Sequence, residues 1–450
     1  MPDVIAWEAI LMNVQGLKVF SAGLTLAMAG VMAAPAAFAA EASSAPASDA
    51  KTKFSYNKDI APLIEAKCGE CHRPNGIAPF SMTSYRQVRG WGKMIKEVTN
   101  DGRMPPWHAD PSVGKWSNDR SLSPEEKAMV AEWVDAGMPQ GNPADLKTAE
   151  ATNKSEWRIG TPDMIFEMPE GAAINPTGVV PYQYFETKTN FTEDVWVSAM
   201  ECLPGNPKVV HHIIMFVSDP KHPLNFRSEE VGEESTGGFL DAFAPGGVPQ
   251  ILPAGQARKI PAGASLLWQV HYTPTGKLEN DRSRFGIKFA KGPITHQMMT
   301  GNCINNDFEI PARADNHKVE GWLDFSAPVT IMSLAPHAHY RGKSFDYYMV
   351  SADGKEEHIL SVPKYDFNWQ TTYNFEKPLA VPAGSKMHVV AHFDNSDKNP
   401  YNPDPEKTVH WGDQTWEEMM IGFFHYSRPV NVQVSDSGVE IKNPSQASGD

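Results

Sequence analysis

Cysteine is scarce in this chain, with 4 residues in 450. That excludes a disulfide-stapled scaffold, which needs a far higher share. Positive charge is also in short supply. Lys and Arg number 40 against 54 Asp and Glu, giving a formal net charge of −14. No basic stripe interrupts that balance, so nucleic acid is not an expected partner. An acidic surface serves solubility and attraction of a basic partner equally well. Long apolar runs are missing but for one, Phe20 to Ala40. Apolar residues make up 41% of the chain and charged residues 21%. These are globular proportions, and the length suits about three domains.

The single apolar run is rich in Ala and Gly and ends in Ala37-Phe38-Ala39, the small-x-small pattern of a signal-peptidase site. Residues 1–40 are therefore expected to be a signal peptide, and 41–53 (EASSAPASDAKTK) a linker. Lys18 precedes the run, but so do Asp3 and Glu8; a start at Met12 instead of Met1 leaves a positive leader. An uncleaved membrane anchor is the alternative reading. The expected location is periplasmic, with no stable membrane insertion once the leader is removed. In such an oxidising compartment Cys202 and Cys303 are expected to form a disulfide bond.

Residues 54–145 have helical periodicity. Ile60 to Lys67, Tyr85 to Thr99 and Pro124 to Ala136 place apolar residues at i, i+3, i+4. Ser123-Pro124-Glu125-Glu126 is a helix start and Gly137 a stop. From about residue 155 short β-branched and aromatic runs alternate with Pro, Gly, Asn and Asp clusters, as in Val195 to Met200, Val209 to Val217, Ser265 to Tyr272 and Val329 to Leu334. Such runs predict antiparallel sandwiches, and the stretch is long enough for two. The fold class expected is multidomain: a small all-α domain (54–145), then two antiparallel β-sandwich, jelly-roll-like domains (155–295 and 296–432). The break between the sandwiches is placed near Lys291 to Asn305, and a disordered tail at 436–450.

The strongest chemical motif is Cys68-Gly69-Glu70-Cys71-His72. Two thiols at that spacing form thioethers to the vinyl groups of one haem, and the adjacent histidine falls under the iron. A zinc site needs more ligands nearby, and a thioredoxin-like pair needs a βαβ setting. The helical segment is therefore expected to be a cytochrome c domain with one covalent haem c. Met104, in Gly102-Arg103-Met104-Pro105-Pro106-Trp107, is the expected sixth ligand, with Met82, Met94, Met138 and His108 as competitors.

Three further stretches carry metal-binding residue types. His211 and His212 lie inside an apolar strand, where imidazoles rarely enter without a partner. Neighbours on a regular strand face opposite ways, so both reach one ion only across a bulge. The other reading is one ligand and one core histidine. His271 sits in Trp268-Gln269-Val270-His271-Tyr272, where a lone strand histidine is commonly structural. In His337-Ala338-His339 the two imidazoles share a strand face and form a metal bite. Met419, in Glu417-Glu418-Met419-Met420, taken alone reads as core.

Taken together, in the order HH, QVHY, HxH and EEM, these stretches resemble the copper type II, ascorbate-dependent monooxygenases. That family includes peptidylglycine α-hydroxylating monooxygenase and dopamine β-hydroxylase. The resemblance covers about residues 155–430. It implies two coppers. His211, His212 and His271 would bind an electron-storing copper on the first sandwich. His337, His339 and Met419 would bind the second, where O2 is activated and a substrate C–H bond cleaved. Imidazole suits copper in both oxidation states and a thioether favours Cu(I). The family keeps its coppers apart across a solvent-filled cleft. Gln269 matches a family position whose amide can hold water there.

The departures are informative. The peptide-amidating members clamp a carboxylate with an Arg two residues before HxH, and with an Asn and a Tyr after the methionine. Here those positions are Ala335, Ile421 and Phe423. A more apolar pocket is expected; Tyr340 and Arg341 follow His339 and could substitute, but residues so placed more commonly pack or solvate the strand end. The function expected is that of a periplasmic haem–copper monooxygenase hydroxylating a small organic substrate with O2. Electrons would pass from a periplasmic donor through the haem, carried on the tether Gln140 to Lys154, to the histidine-only copper. The alternative is a non-catalytic electron-transfer or copper-binding protein on the same scaffold.

Overall fold

The computed structural model describes residues 53–74, 76–146, 156–178, 180–221, 223–224, 238–245 and 247–441. The expected signal peptide, nearly all of the linker that follows it, the tether residues 147–154 and the tail beyond Ile441 lie outside that set. No helix among the described residues is long and apolar enough to cross a membrane.

Three α-helices form where the periodicity placed them: α1 (Ala61–Lys67), α2 (Tyr85–Asn100) and α3 (Pro124–Asp135). Ser123 caps α3 through its hydroxyl, which accepts from Glu126 N at 3.2 Å, while the Glu126 carboxylate accepts from Ser123 N at 2.8 Å. The helices bury Ile60, Ile64, Val88, Ile95, Val130 and Trp133 against one another.

They do not make a separate all-α domain, and the expected cytochrome c fold class is overturned. Strand outweighs helix, 41% against 12%, and the described residues form one compact unit. The reason lies in the irregular segment between α2 and α3. Asp110 N donates to Ser361 O, Ser117 N to Asn374 O, and Glu376 N to Lys115 O, each at 2.9 Å. Trp116 bridges Phe375 and packs on Tyr373, and Ala109 and Trp116 belong to the apolar core of the chain's last third. Helical periodicity reports the helices, but not the partners of the chain between them.

The remainder is strand. The first half holds β1 (Met164–Glu167), β2 (Ala172–Ile174), β3 (Gln183–Lys188), β4 (Val195–Leu203), β5 (Val210–Ser218), β6 (Phe239–Phe243), β7 (Gln250–Ile251), β8 (Gln256–Ile260), β9 (Ser265–Tyr272), β10 (Glu279–Asp281) and β11 (Arg284–Phe289). The second holds β12 (Gly292–Asn305), β13 (Glu309–Ile310), β14 (His317–Asp324), β15 (Val329–His337), β16 (Gly342–Val350), β17 (Glu356–Val362), β18 (Tyr373–Val381), β19 (Lys386–Phe393), β20 (Val409–His410) and β21 (Met420–Val434). Each half has its own apolar core, around Trp268, Phe285 and Ile213 in one and Tyr347, Phe345 and Phe393 in the other. A four-stranded sheet, β3-β9-β5-β6, belongs to the first, and another, β14-β19-β16-β17, to the second.

The large sheet is common to both halves. Its nine strands run β1-β11-β4-β8-β12-β21-β15-β18, with β7 on β4. The stretch Lys291 to Asn305, where the break was expected, is not an irregular connection. That stretch is the long strand β12, antiparallel to β21 and parallel to β8. Two independent sandwiches give way to two cores sharing a sheet. The expected Cys202–Cys303 bond is also overturned. Both thiols are free and buried, Cys202 in the first core and Cys303 in the second. The start of the expected tail folds back, with Trp196 N donating to Gly438 O at 2.9 Å and Ile441 N to Gln433 O at 2.6 Å.

This wiring has a measurable consequence. Helical and strand signals are expected to be lost in one transition on denaturant titration. Trp116→Ala is expected to lower that stability by about 3–5 kcal/mol. A helical signal that melts first and is indifferent to Trp116→Ala would mean the helices stand alone.

Candidate metal centres

His211 and His212 enter from β5 and His271 from its neighbour β9. The pairing of β5 with β9 shifts register between Val210 and His212. The extra residue bends the strand and turns two adjacent side chains toward one place. His212 pairs directly with His271. The three side chains offer ligand atoms all within 4.8 Å of one another. His211 Nδ1 and His212 Nδ1 approach to 3.2 Å, and the rings meet edge to face. Tyr182 packs against His212 and His271, with ring centroids at 5.5 and 4.8 Å.

Burial keeps these imidazoles neutral. It pushes His211 down to about 4 and His271 to about 3, and His212 well below the usual range, with His271 and His211 adding repulsion. Neutral imidazoles present lone pairs. His211 Nε2 and His271 Nδ1 are buried with no hydrogen-bond partner among the described residues. Such orphaned atoms are costly unless something binds them. The donor set fits a copper ion.

His337 ends β15 and His339 follows it by two residues, their rings 5.4 Å apart and nearly perpendicular. His337 Nδ1 donates to Gln370 Oε1 at 2.8 Å, which leaves Nε2 as the metal-facing nitrogen. His339 is 1% exposed, and neither ring nitrogen has a hydrogen-bond partner among the described residues. Met419 immediately precedes β21 and is half-buried, whereas Met420 is fully buried in the core.

The bond between these two stretches is Glu418. Its fully buried carboxylate accepts from the backbone N–H of His339, from Arg341 N at 2.9 Å and from Met419 N at 2.9 Å. One side chain therefore fixes both the HxH turn and the methionine. Burial pushes its carboxyl up to about 7 against the pull of those donors and of Arg341. Sequence reasoning missed this role, as it missed Gln370 and Tyr365. The visible signal was an acidic residue directly before Met419 in Glu417-Glu418-Met419-Met420.

The candidate stand-ins for the carboxylate clamp are engaged structurally, the commoner of the two readings. Arg341 is buried, with Nε donating to Asn395 Oδ1 at 2.8 Å and Nη1 to Trp416 O at 2.9 Å. Tyr340 packs on Phe367. Ala335 pairs with Phe423 and His337 with Ile421 across β15 and β21, so the wall beside His337 is apolar. Gln269 donates to Tyr184 Oη at 3.1 Å.

Cys68 to His72 form a tight turn at the end of α1, with Cys71 N and His72 N both donating to Cys68 O, at 3.2 and 3.0 Å. Both thiols are free and half-buried. His72 Nδ1 donates to Phe80 O at 3.0 Å, leaving Nε2 for an axial bond. Met104 follows α2, half-buried, with its N–H on Val98 O at 3.1 Å. Nothing among the described contacts ties it to His72. Of its competitors, Met82 is buried in the helical core and Met94 is exposed. Arg158 holds the turn to the first half, with Nη1 2.5 Å from Glu70 and Nε 2.9 Å from Glu201 on β4.

Residues 296–446 match the family model of the copper type II ascorbate-dependent monooxygenase, C-terminal domain. That stretch carries His337, His339 and Met419. The match makes the chain a copper-dependent monooxygenase, an oxidoreductase that uses O2. No curated protein sequence matches it. Among solved structures, similar chains include the major capsid protein P2 of bacteriophage PM2 (8% identity, TM-score 0.26, 59% of this chain and 98% of that one). Others are PBCV-1 VP54 fitted into a reconstruction of the virophage Sputnik (8%, 0.23, 64% and 99%) and the infectious bursal disease virus VP2 subviral particle (11%, 0.17, 63% and 82%). These likenesses are too distant to assign fold or function.

Gln370→Ala removes the acceptor that orients His337. Copper titration is expected to show affinity at the second set weakened about 10–100-fold, with the first set unchanged. Equal weakening at both sets, or at neither, would show that Gln370 does not act through His337.

Proposed function

We propose that this copper monooxygenase works in the periplasm, holds two coppers and one covalent haem, and hydroxylates a C–H bond of a small apolar substrate. The observation that carries the reading is the presence of two histidine sets, the first with its ligand atoms within 4.8 Å of one another, and each with buried imidazole nitrogens that have no hydrogen-bond partner among the described residues.

His211, His212 and His271 would hold one copper with nitrogen alone. His337, His339 and Met419 would hold the other and leave a position open. Bound copper would supply one-electron chemistry for bringing O2 to a C–H bond. The chain's own part is to shape the place. Gln370 sets the tautomer of His337, and Glu418 holds His339 and Met419 in register. Ile421 and Phe423 line the wall beside His337 and offer no donor for a carboxylate. The substrate expected there is therefore uncharged near the reacting carbon.

Cys68 and Cys71 would carry the haem, with His72 as one axial ligand and Met104 as the other. Such a haem supplies electrons singly, from a periplasmic donor. The ion pairs Glu70–Arg158–Glu201 support delivery toward the first half, whose histidine-only set lies on β5 and β9 beyond β4. The haem turn thus reaches the copper-bearing body through a fixed contact as well as through the chain after Gln140.

The test is metal content on protein matured where haem is attached. Two coppers per haem iron are expected. His337→Ala is expected to retain one copper and the haem while losing O2-dependent hydroxylation. One copper in the unaltered protein would remove one set from the reading, and none would reduce the histidines to core residues. Chains in which Cys68→Ala and Cys71→Ala are combined are expected to lose the covalent haem absorbance and keep both coppers.

A further inference from the structure

The chain between β17 and β18, residues 363–372, has no regular structure, yet it touches both histidine sets. Tyr365 grips the residue between His337 and His339. Its hydroxyl donates to Ala338 O at 2.9 Å and accepts from Ala338 N at 3.1 Å. Gln370 accepts from His337 and donates to Phe367 O at 3.3 Å. The connection is thereby pinned to the second set near both of its ends.

Phe367 sits between these anchors and is 8% exposed. Its ring stacks on His211 of the first set, with centroids 5.2 Å apart and planes at 15°. It meets His339 of the second set edge-on at 6.2 Å and 86°. Tyr340 packs against it at 4.9 Å. A single ring spans the interval between the two sets. This differs from the solvent-filled cleft that the family resemblance implied.

We infer that Phe367 is a positioning residue that fixes the separation of the two copper sites and keeps water out of the space between them. The inference rests on reading the two histidine sets as copper sites. The physical basis is rigidity and exclusion. A ten-residue connection left free would wander, but Tyr365 and Gln370 tie this one to His337 and Ala338. Its apolar ring replaces water between two charged centres and so strengthens their mutual field. Nothing in the sequence marks Phe367 apart from other aromatics; only its position between the sets does.

The experiment uses the full chain loaded with Cu(II), read by electron paramagnetic resonance and by water-proton relaxation, with copper counted in each sample. The unaltered protein is expected to hold two Cu(II) and show a half-field transition from their dipolar coupling. Phe367→Ala is expected to keep two Cu(II), lose the half-field transition and relax water protons faster. Phe367→Leu, which retains bulk without a stacking face, is expected to weaken the transition without the full rise in relaxation. Two coppers with an unchanged half-field transition in Phe367→Ala would overturn the inference. So would two uncoupled coppers in the unaltered protein, and that result leaves the copper reading standing. If Phe367→Ala sheds copper, the Leu variant decides, and an unchanged transition there overturns the inference. Failure of the unaltered protein to bind two Cu(II) would defeat the copper reading itself, and the inference with it.

Discussion

Two backbone pairings, His296 with Gln256 and Gln297 with Ala257, join the sheet of the first half to that of the second. Everything about the sites depends on that short parallel seam. β12 runs from it along β21, and β21 lies beside β15, which ends in His337. On the other side of the seam β8 meets β4, over which the β3-β9-β5-β6 sheet carries His211, His212 and His271. The seam thus sets which elements face one another, while the first set reaches it through packing of its own sheet over β4, not through hydrogen bonds. A single aromatic ring then suffices to fill the interval, because both walls are held from behind.

Much of this was legible in residues alone. The three helices follow from apolar spacing and from Ser123, Pro124 and Glu126, whose capping geometry is local. The HxH pair follows from the two-residue period of a strand. The seam was not legible. Alternation tells which face a side chain takes, but not which strand lies alongside. Gly292-Pro293, which lies in the expected break between domains, opens the 14-residue strand β12. The helical segment misled for a related reason: Trp116 and Ala109 look like any apolar residues of a small domain, yet they complete a core built from strands far along the chain.

The site shows the same division. What brings His211 and His212 together is one shift of register, which a sequence cannot display. Glu418 was visible only as a neighbour of Met419. Its use comes from burial, where a carboxylate with three N–H donors becomes a rigid knot. Arg341 looked available for a ligand and is instead consumed by Asn395 and Trp416. Short-range chemistry could be read in advance; allegiance across the fold could not.

The contacts that close over Trp116 span an unusual length of chain. Ser117 and Asn374 stand 257 positions apart, and Asn118 and Thr372 stand 254 apart. Pairings of such long range form late, because a large loop must close first. A growing or threading chain therefore completes its helices before it can finish the ground they rest on. During that interval the turn bearing Cys68 and Cys71 belongs to an unfinished surface, whereas in the completed body both thiols are half-buried. The order of assembly thus follows from the wiring: helices first, closure second.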